Sequence, residues 1–205
     1  MAQPYDYRNA IRHLRKHDER MGEVISAVGL CKLRIDSNAF RMLSRSIVGQ
    51  QLSTKAAATI WRRFQELVGD KRVPVSRVQK LNHKQLRGVG LSDSKASYIA
   101  LLAKNVASKK LNLRTLKDVS DDCVIHTLTE QKGIGVWTAH MFLMFSLGRP
   151  DILPTGDLGI ANGIQSIYRL KQRPTPEQMR KIAKNWHPFA SVASWYCWQW
   201  LDLAD

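Results

Sequence analysis

The amino-acid sequence predicts an all-α protein. Three observations carry that expectation. Apolar residues recur at helical spacing along most of the chain, caps and breakers punctuate them at short intervals, and a Gly-x-Gly step at Gly133 and Gly135 joins two helical patterns in a short hairpin.

Taken in order, Tyr5 to His17 and Asp18 to Val28 form two packing helices, with Ile11 and Leu14, then Met21, Val24, Ile25 and Val28, on their apolar faces and Gly29 as the stop. Ser37 is expected to cap a helix from Asn38 to about Val48, and Ser53 to cap one from Thr54 to Val68 that ends at Gly69 and Asp70. Between these two lies the turn Gly49-Gln50-Gln51-Leu52-Ser53, which sets two amides and a leucine at a corner where an amide gains little without a partner. Beyond Pro74, the segments Val75 to Leu81 and His83 to Gly88 read as short helices leading to Val89-Gly90-Leu91-Ser92. A long helix then starts at Ser92, with Lys95 in its first turn, and runs through Tyr98, Ile99, Leu102 and Val106. Lys104, Lys109, Lys110, Arg114 and Lys117 form a solvated basic face, and Ser120-Asp121-Asp122 opens the next helix with acidic residues where the helix dipole favours them.

The run Gln131-Lys132-Gly133-Ile134-Gly135-Val136-Trp137-Thr138-Ala139 organises the rest. Gly133 can close the preceding helix in the left-handed conformation, and Gly135 lets a ligand approach where the next helix presents N–H groups lacking intrahelical acceptors. Such a place suits negative oxygen, although a lone Gly-x-Gly also reads as an ordinary interhelical corner. Val136 to Leu147 is apolar on nearly every face and is therefore expected to be buried, and Gly148-Arg149-Pro150 stops it. A loop then ends at Pro154-Thr155-Gly156-Asp157, which places a carboxylate at the start of a helix beginning near Leu158. By itself Asp157 is an N-cap worth about 1 kcal/mol. That helix continues through Ile160, Ile164, Ile167 and Tyr168 to Arg173 and Pro174, and Thr175-Pro176-Glu177-Gln178 is a capping box opening another that ends at Trp186-His187-Pro188. The last segment, Phe189 to Leu203, holds Trp195, Tyr196, Trp198 and Trp200 without Lys or Arg, and reads as an aromatic core helix.

Composition narrows the class of partner. The 205 residues carry 32 Lys and Arg against 17 Asp and Glu, a formal charge of +15, which points to a polyanion. The hydrophobic content of 44% suffices for a proper core, and one compact domain over residues 1–205, in two lobes, is expected. The longest apolar run, near Met141 to Leu147, is too short to span a bilayer and the N-terminus has no signal-peptide core, so an intracellular protein without membrane partners is expected. Cys31, Cys123 and Cys197 lie far apart, so neither a disulfide framework nor a metal site can be drawn from them, and all three are read as buried thiols. His13 and His17 share a helix face but lack a third ligand, which favours surface histidines over a metal site.

A Gly-Ile-Gly hairpin, a helix, and a Pro-Thr-Gly loop ending in Asp157 resemble the signature of the helix-hairpin-helix DNA glycosylase superfamily. The resemblance spans roughly residues 5 to 203 without the separate N-terminal β-rich domain of some larger bacterial members. It implies a two-lobed helical glycosylase fold with the active-site cleft between the lobes, the hairpin over about 123–147 and the catalytic loop over about 148–157. Asp157 matches the catalytic aspartate. Lys132, Gly133, Gly135, Val136 and Thr138 match the hairpin that binds the DNA backbone, and Gly90, Ser92 and Lys95 match a second backbone-contacting turn, which Arg87 flanks. Gln50, Gln51, Leu52 and Ser53 match the turn that fills the gap left by a flipped nucleotide, with the inserted side chain left open. Family hairpins often bind Na+ or K+ through backbone carbonyls, here near Gly133 and Gly135, and no other cofactor is implied.

Two positions bear on the reaction. Strand-cleaving relatives carry a lysine two residues after the second hairpin glycine, where this chain has Trp137, and an indole cannot form an imine. The run Gly133 to Ala139 instead matches the G-I-G-x-W-T-A pattern of the alkyl-purine, 3-methyladenine glycosylase II family. By the same resemblance Trp137, Met141 and Trp198 line the base pocket, and three cysteines cannot supply the four-cysteine iron–sulfur cluster of some relatives. The implied activity is monofunctional excision of alkylated purines from double-stranded DNA by a monomer, in the cytoplasm and nucleoid of a bacterium or archaeon or in a eukaryotic nucleus. A glycosylase for deaminated, mismatched or oxidised bases and a non-catalytic DNA-binding module are the alternatives.

Overall fold

The computed structural model describes residues Tyr7 to Ala204, and the ordered elements among them are all helical. In chain order the α-helices are α1 (Tyr7–His17), α2 (Glu19–Val28), α3 (Ala39–Gly49), α4 (Thr54–Val68), α5 (Val75–Val78), α6 (His83–Gly88), α7 (Asp93–Ala107), α8 (Asp121–Thr129), α9 (Val136–Phe142), α10 (Leu158–Ile167), α11 (Pro176–Ile182) and α12 (Ala190–Ala204). Tyr5 and Asp6, expected in the first helix, lie outside the described residues.

The helices begin where local chemistry dictates. Ser53, Ser92, Ser120 and Thr175 each accept a main-chain N–H from the first turn, and Thr175 with Gln178 completes the capping box. Several expectations need correction. Asn38, not Ser37, caps α3, because its side-chain oxygen reaches Arg41 N at 3.0 Å while its amide donates to Arg72 O at 2.6 Å. The segment expected to be helical to Leu81 leaves the α-helix after Val78, as the N–H groups of Lys80 and Leu81 turn to carbonyls three residues back. Cys123 is exposed, since Val124 and Leu128 supply the buried face of α8. The helix from Val136 is not buried throughout: Val136 and Trp137 stand 53% and 43% exposed, and burial starts at Thr138. From Leu143 to Leu147 that helix widens to π geometry and closes with Arg149 N donating to Leu143 O at 2.9 Å, past Gly148 at φ +66°.

The chain divides into two compact units, one holding the residues up to Ile35 and from Leu143 onward, the other Asp36 to Phe142. In the first, α1, α2, α10 and α12 bury Leu14, Met21, Ile25, Ile160, Ile164, Tyr196 and Cys197, with Trp186 fully enclosed. A buried carboxylate sits among them. Asp18 caps α2 through Met21 N at 3.0 Å, and its other oxygen accepts the Tyr168 hydroxyl and Trp186 Nε1, the latter at 3.0 Å. The donors offset the loss of water around a charge that burial would otherwise penalise heavily. Burial, and secondarily the Asp18 carboxylate, pushes the Tyr168 phenol well above its ordinary pKa, so it stays a donor. In the second unit, α3 packs on α4, α7 and α9, and α8 on α9, around Phe40, Leu43, Ile47, Phe64, Ile99, Leu128 and Phe142.

Tyr168→Phe keeps the ring and deletes one donor to Asp18. A hydrogen bond to a charged group contributes about 1.5–3 kcal/mol, and roughly 2–4 °C of melting temperature follows each kcal/mol at this chain length. A thermal melt is expected to fall by about 3–12 °C, and an unchanged midpoint would remove Tyr168 from that role.

Candidate active site

Asp157 is fixed by the elements on both sides of it. The preceding loop is tied to the start of α12. Ser191 N donates to Pro150 O at 3.0 Å, and its hydroxyl donates to Arg149 O at 2.7 Å while accepting Ile152 N at 2.9 Å. Asp151 accepts Ala190 N at 3.1 Å and pairs with His187 Nδ1 at 2.6 Å. The loop ends in a turn closed by Asp157 N donating to Pro154 O at 3.0 Å. Asp157 then caps α10, its Oδ1 accepting Ile160 N at 2.8 Å, and it is only 8% exposed.

The same oxygen accepts Trp198 Nε1 at 3.0 Å, so α12 supplies the second donor. That contact depends on how closely α10 and α12 approach. A Cβ on Gly159 would stand 2.8 Å from Trp198 Cδ1 and 3.1 Å from Asp157 Oδ1, and one on Gly163 would stand 2.6 Å from Cys197 O. Two glycines one turn apart therefore make the groove that receives α12. The Trp198 ring also stacks on Phe145 at a centroid distance of 5.9 Å. Beside it Cys197 is fully buried, and its thiol is pushed up by desolvation first and by the nearby Asp18 and Asp157 carboxylates second.

In the second unit the hairpin follows α8. Ile134 N donates to Gln131 O at 3.0 Å across a turn with Gly133 at φ +84°, where a non-glycine residue is disfavoured. Gly133 thus sits inside the turn and does not directly close α8, and a Cβ there would overlap the Tyr98 ring. Gly135 precedes α9, its carbonyl taking Ala139 N at 3.0 Å, and nothing lies within 4 Å of a Cβ placed on it. Lys132, Gly135, Val136 and Trp137 are exposed, whereas Thr138 and Met141 are only 2% and 5% exposed.

The turn between α3 and α4 lies in the same unit. Gln50 Nε2 donates to Gly133 O at 2.8 Å, Gln51 holds φ +55°, and Leu52 is 38% exposed. Ser53 is used as the cap of α4. Gly90, at φ +101°, and the capping Ser92 shape the start of α7 as expected. The Lys95 ammonium donates to Val48 O at 2.9 Å and Gln50 O at 2.5 Å, which takes two of its three N–H donors. Arg87 likewise donates to Leu91 O at 2.7 Å. As for a cation on the hairpin, the Gly133 and Gly135 carbonyls each already accept one N–H, leaving one lone pair apiece. His13 and His17 stack on one another at 4.1 Å, and no group of three or more His, Cys, Asp or Glu among the described residues is placed to hold a metal ion.

Residues 44–188 match the HhH-GPD superfamily base excision DNA repair proteins. The chain belongs to this family. It is 31% identical over 94% of its length to DNA-3-methyladenine glycosylase 1 of Schizosaccharomyces pombe, covering 87% of that protein. The structure of the Schizosaccharomyces pombe 3-methyladenine DNA glycosylase in complex with abasic DNA superposes with a TM-score of 0.81 at 30% identity, over 93% of this chain and 95% of that one. A DNA-3-methyladenine glycosidase from Bacillus halodurans does so at 0.81 and 34%, over 97% and 90%. Among the described residues no helix is long and apolar enough to cross a membrane.

Sequence reading reached Asp157, Trp198 and the hairpin but missed Gly159, Gly163, Ser191 and the clamp on Gln50. Gly159→Ala tests the close approach. Helix propensity alone favours alanine by up to about 1 kcal/mol, whereas overpacking against Trp198 costs about 1–3 kcal/mol. The variant is expected to melt lower than the parent, with altered tryptophan fluorescence, and a higher midpoint would mean that Trp198 is not held this tightly.

Proposed function

We propose that the chain is a monofunctional DNA glycosylase of base excision repair that hydrolyses the N-glycosidic bond of alkylated purines, of the 3-methyladenine and 7-methylguanine type, and leaves an abasic site. The observation that carries this reading is the buried Asp157 carboxylate, held by Ile160 N and Trp198 Nε1 at the end of the Pro-Thr-Gly loop, in a chain whose 30–34% identical relatives are named for 3-methyladenine. Alkylation at N3 or N7 makes the purine cationic and already a good leaving group, so no strong general acid is required. As the C1′–N bond stretches, positive charge develops on the sugar, and a carboxylate oriented in advance by fixed donors stabilises it without reorganising. The same carboxylate positions the attacking water. The half-buried indole of Trp198 attracts a cationic purine by roughly 0.5–2 kcal/mol, a modest preference that leaves much of the discrimination to the intrinsic lability of the damaged base.

Duplex DNA presents its base only after the nucleotide leaves the stack, at a cost of a few kcal/mol that is least for damaged pairs. In this reading the hairpin main chain from Lys132 to Thr138, with Gly90 and Ser92 at the second turn, holds the phosphate backbone, and the exposed turn carrying Gln51 and Leu52 enters the space the nucleotide vacates. Na+ or K+ held by the remaining carbonyl lone pairs near Gly133 and Gly135 would neutralise part of a bound phosphate, and no step depends on it. The protein acts as a monomer on chromosomal DNA, in the cytoplasm and nucleoid or in the nucleus.

Asp157→Asn is the direct test. Asparagine is as good a helix cap as aspartate and still accepts Trp198 Nε1, so the substitution removes charge and preserves geometry. Excision of methylated purines is expected to fall by at least about 100-fold while binding to an abasic duplex stays within a few-fold. Near-parental excision would take Asp157 out of its role. The product is expected to carry an intact abasic site, with no strand nick before alkali and no borohydride-trapped adduct, because Trp137 occupies the position of the imine-forming lysine. Nicks lost on Lys132→Ala would instead identify Lys132 as a reacting amine.

A further inference from the structure

We infer that Lys95 and Gln50 are positioning residues that lock the DNA-entering turn onto the hairpin, with Lys95 serving as an internal cation on main-chain carbonyls and not as a phosphate ligand. The inference rests on the proposed reading of the Gln50–Ser53 turn. The last carbonyls of a helix have no intrahelical donor and carry the negative end of the helix dipole. At the end of α3, Val48 O and Gln50 O face this condition, and Lys95, reaching from the first turn of α7, donates to both at 2.9 and 2.5 Å. Burial lowers the Lys95 pKa, as befits an ammonium drawn from water toward carbonyl dipoles.

Gln50 is the node. Its main-chain oxygen is held by Lys95, and its side-chain amide donates to Gly133 O at 2.8 Å, linking the turn to a hairpin 83 residues away in sequence. The next residue, Gln51, is a non-glycine in the left-handed region at φ +55°, a conformation that persists only where the surroundings over-determine it. The two clamps on Gln50 supply that over-determination and present Gln51 and the 38% exposed Leu52 in a prepared shape. With its side chain spent on Gly133, Gln50 itself is not the residue that enters the duplex.

Lys95→Met and Gln50→Met keep the stems and remove the donors. Three quantities separate the roles: the dependence of duplex binding on salt, the ratio of excision from duplex to excision from single-stranded methylated DNA, and the melting temperature. Lys132→Ala serves as a phosphate-contact reference and the double variant Gln51→Gly, Leu52→Gly as a reference for the turn. Both methionine variants are expected to retain the parental salt slope, and their duplex-to-single-strand ratio to fall by about 10- to 100-fold, with the combined variant less than additive. A slope reduced by about 0.9 in Lys95→Met with an unchanged ratio would make Lys95 a phosphate ligand and overturn the inference. Equal loss on both substrates with a lowered midpoint would reduce both residues to structural supports and overturn it as well. If the double glycine variant lowers the ratio and the methionine variants do not, the inference alone fails. A double glycine variant that leaves the ratio unchanged removes the reading of the turn, and the inference with it.

Discussion

A carboxylate only 8% exposed must find donors inside the protein to offset the water it has lost, and Asp157 finds them by joining two helices. Ile160 N comes from the helix that Asp157 itself begins, and Trp198 Nε1 comes from α12. The second donor is within reach only because Gly159 and Gly163 leave no side chain between α10 and α12. Small residues spaced by four on one helix let another approach closely, and the loss of two side chains from the core is offset by the contacts so gained. The loop before Asp157 is held by the other end of the same helix through Ser191 and Ala190. One aromatic helix thus fixes the carboxylate's neighbour and the path of the chain that delivers it.

The second unit solves a related problem with the signs reversed. Its turns expose main-chain carbonyls, and long polar side chains reach in to satisfy them: Lys95 at the end of α3, Gln50 at the hairpin, Arg87 beside Leu91, and Arg77 at Val68 O and Gly69 O. Satisfied carbonyls let a turn hold a shape that its own backbone preferences would not keep. Gln51 is the clearest case, since nothing in its side chain favours a positive φ.

What could be read from the sequence divides along the same line. Caps at Ser53, Ser92, Ser120 and Thr175 were legible because a cap and its recipient lie within one turn of chain. Asn38 was displaced by one residue to Ser37 because two adjacent side chains can serve, and the choice is made by Arg72, far along the chain. Asp157 was legible as a carboxylate at a helix start, and Trp198 followed from a family resemblance. Gly159 and Gly163 were not, because in one dimension a glycine within a helix is only a weak helix former. Its meaning appears when a second helix lies across it. The exposed first turn of α9 was misjudged for the converse reason, as hydropathy reports what a residue prefers and not whether a partner covers it.

These internal uses of charge bear on how a net charge of +15 should be understood. A polyanion partner is sensed through the cations that remain available, and several here are committed within the fold. Lys95, Arg87 and Arg77 sit on carbonyls, and Arg41 is paired with Asp36 at 2.8 Å. Their charge adds to the long-range field that draws DNA in, a field that ionic strength screens. A donor spent on a carbonyl or carboxylate is one fewer for the close phosphate contact that releases a counterion on binding. Attraction at a distance therefore scales with the whole charge, while the tightness of a bound state scales with the smaller set of groups that reach phosphates. Four such residues are a small part of the 32 Lys and Arg, yet they show that the charge count sets an upper bound on close phosphate contacts and does not number them.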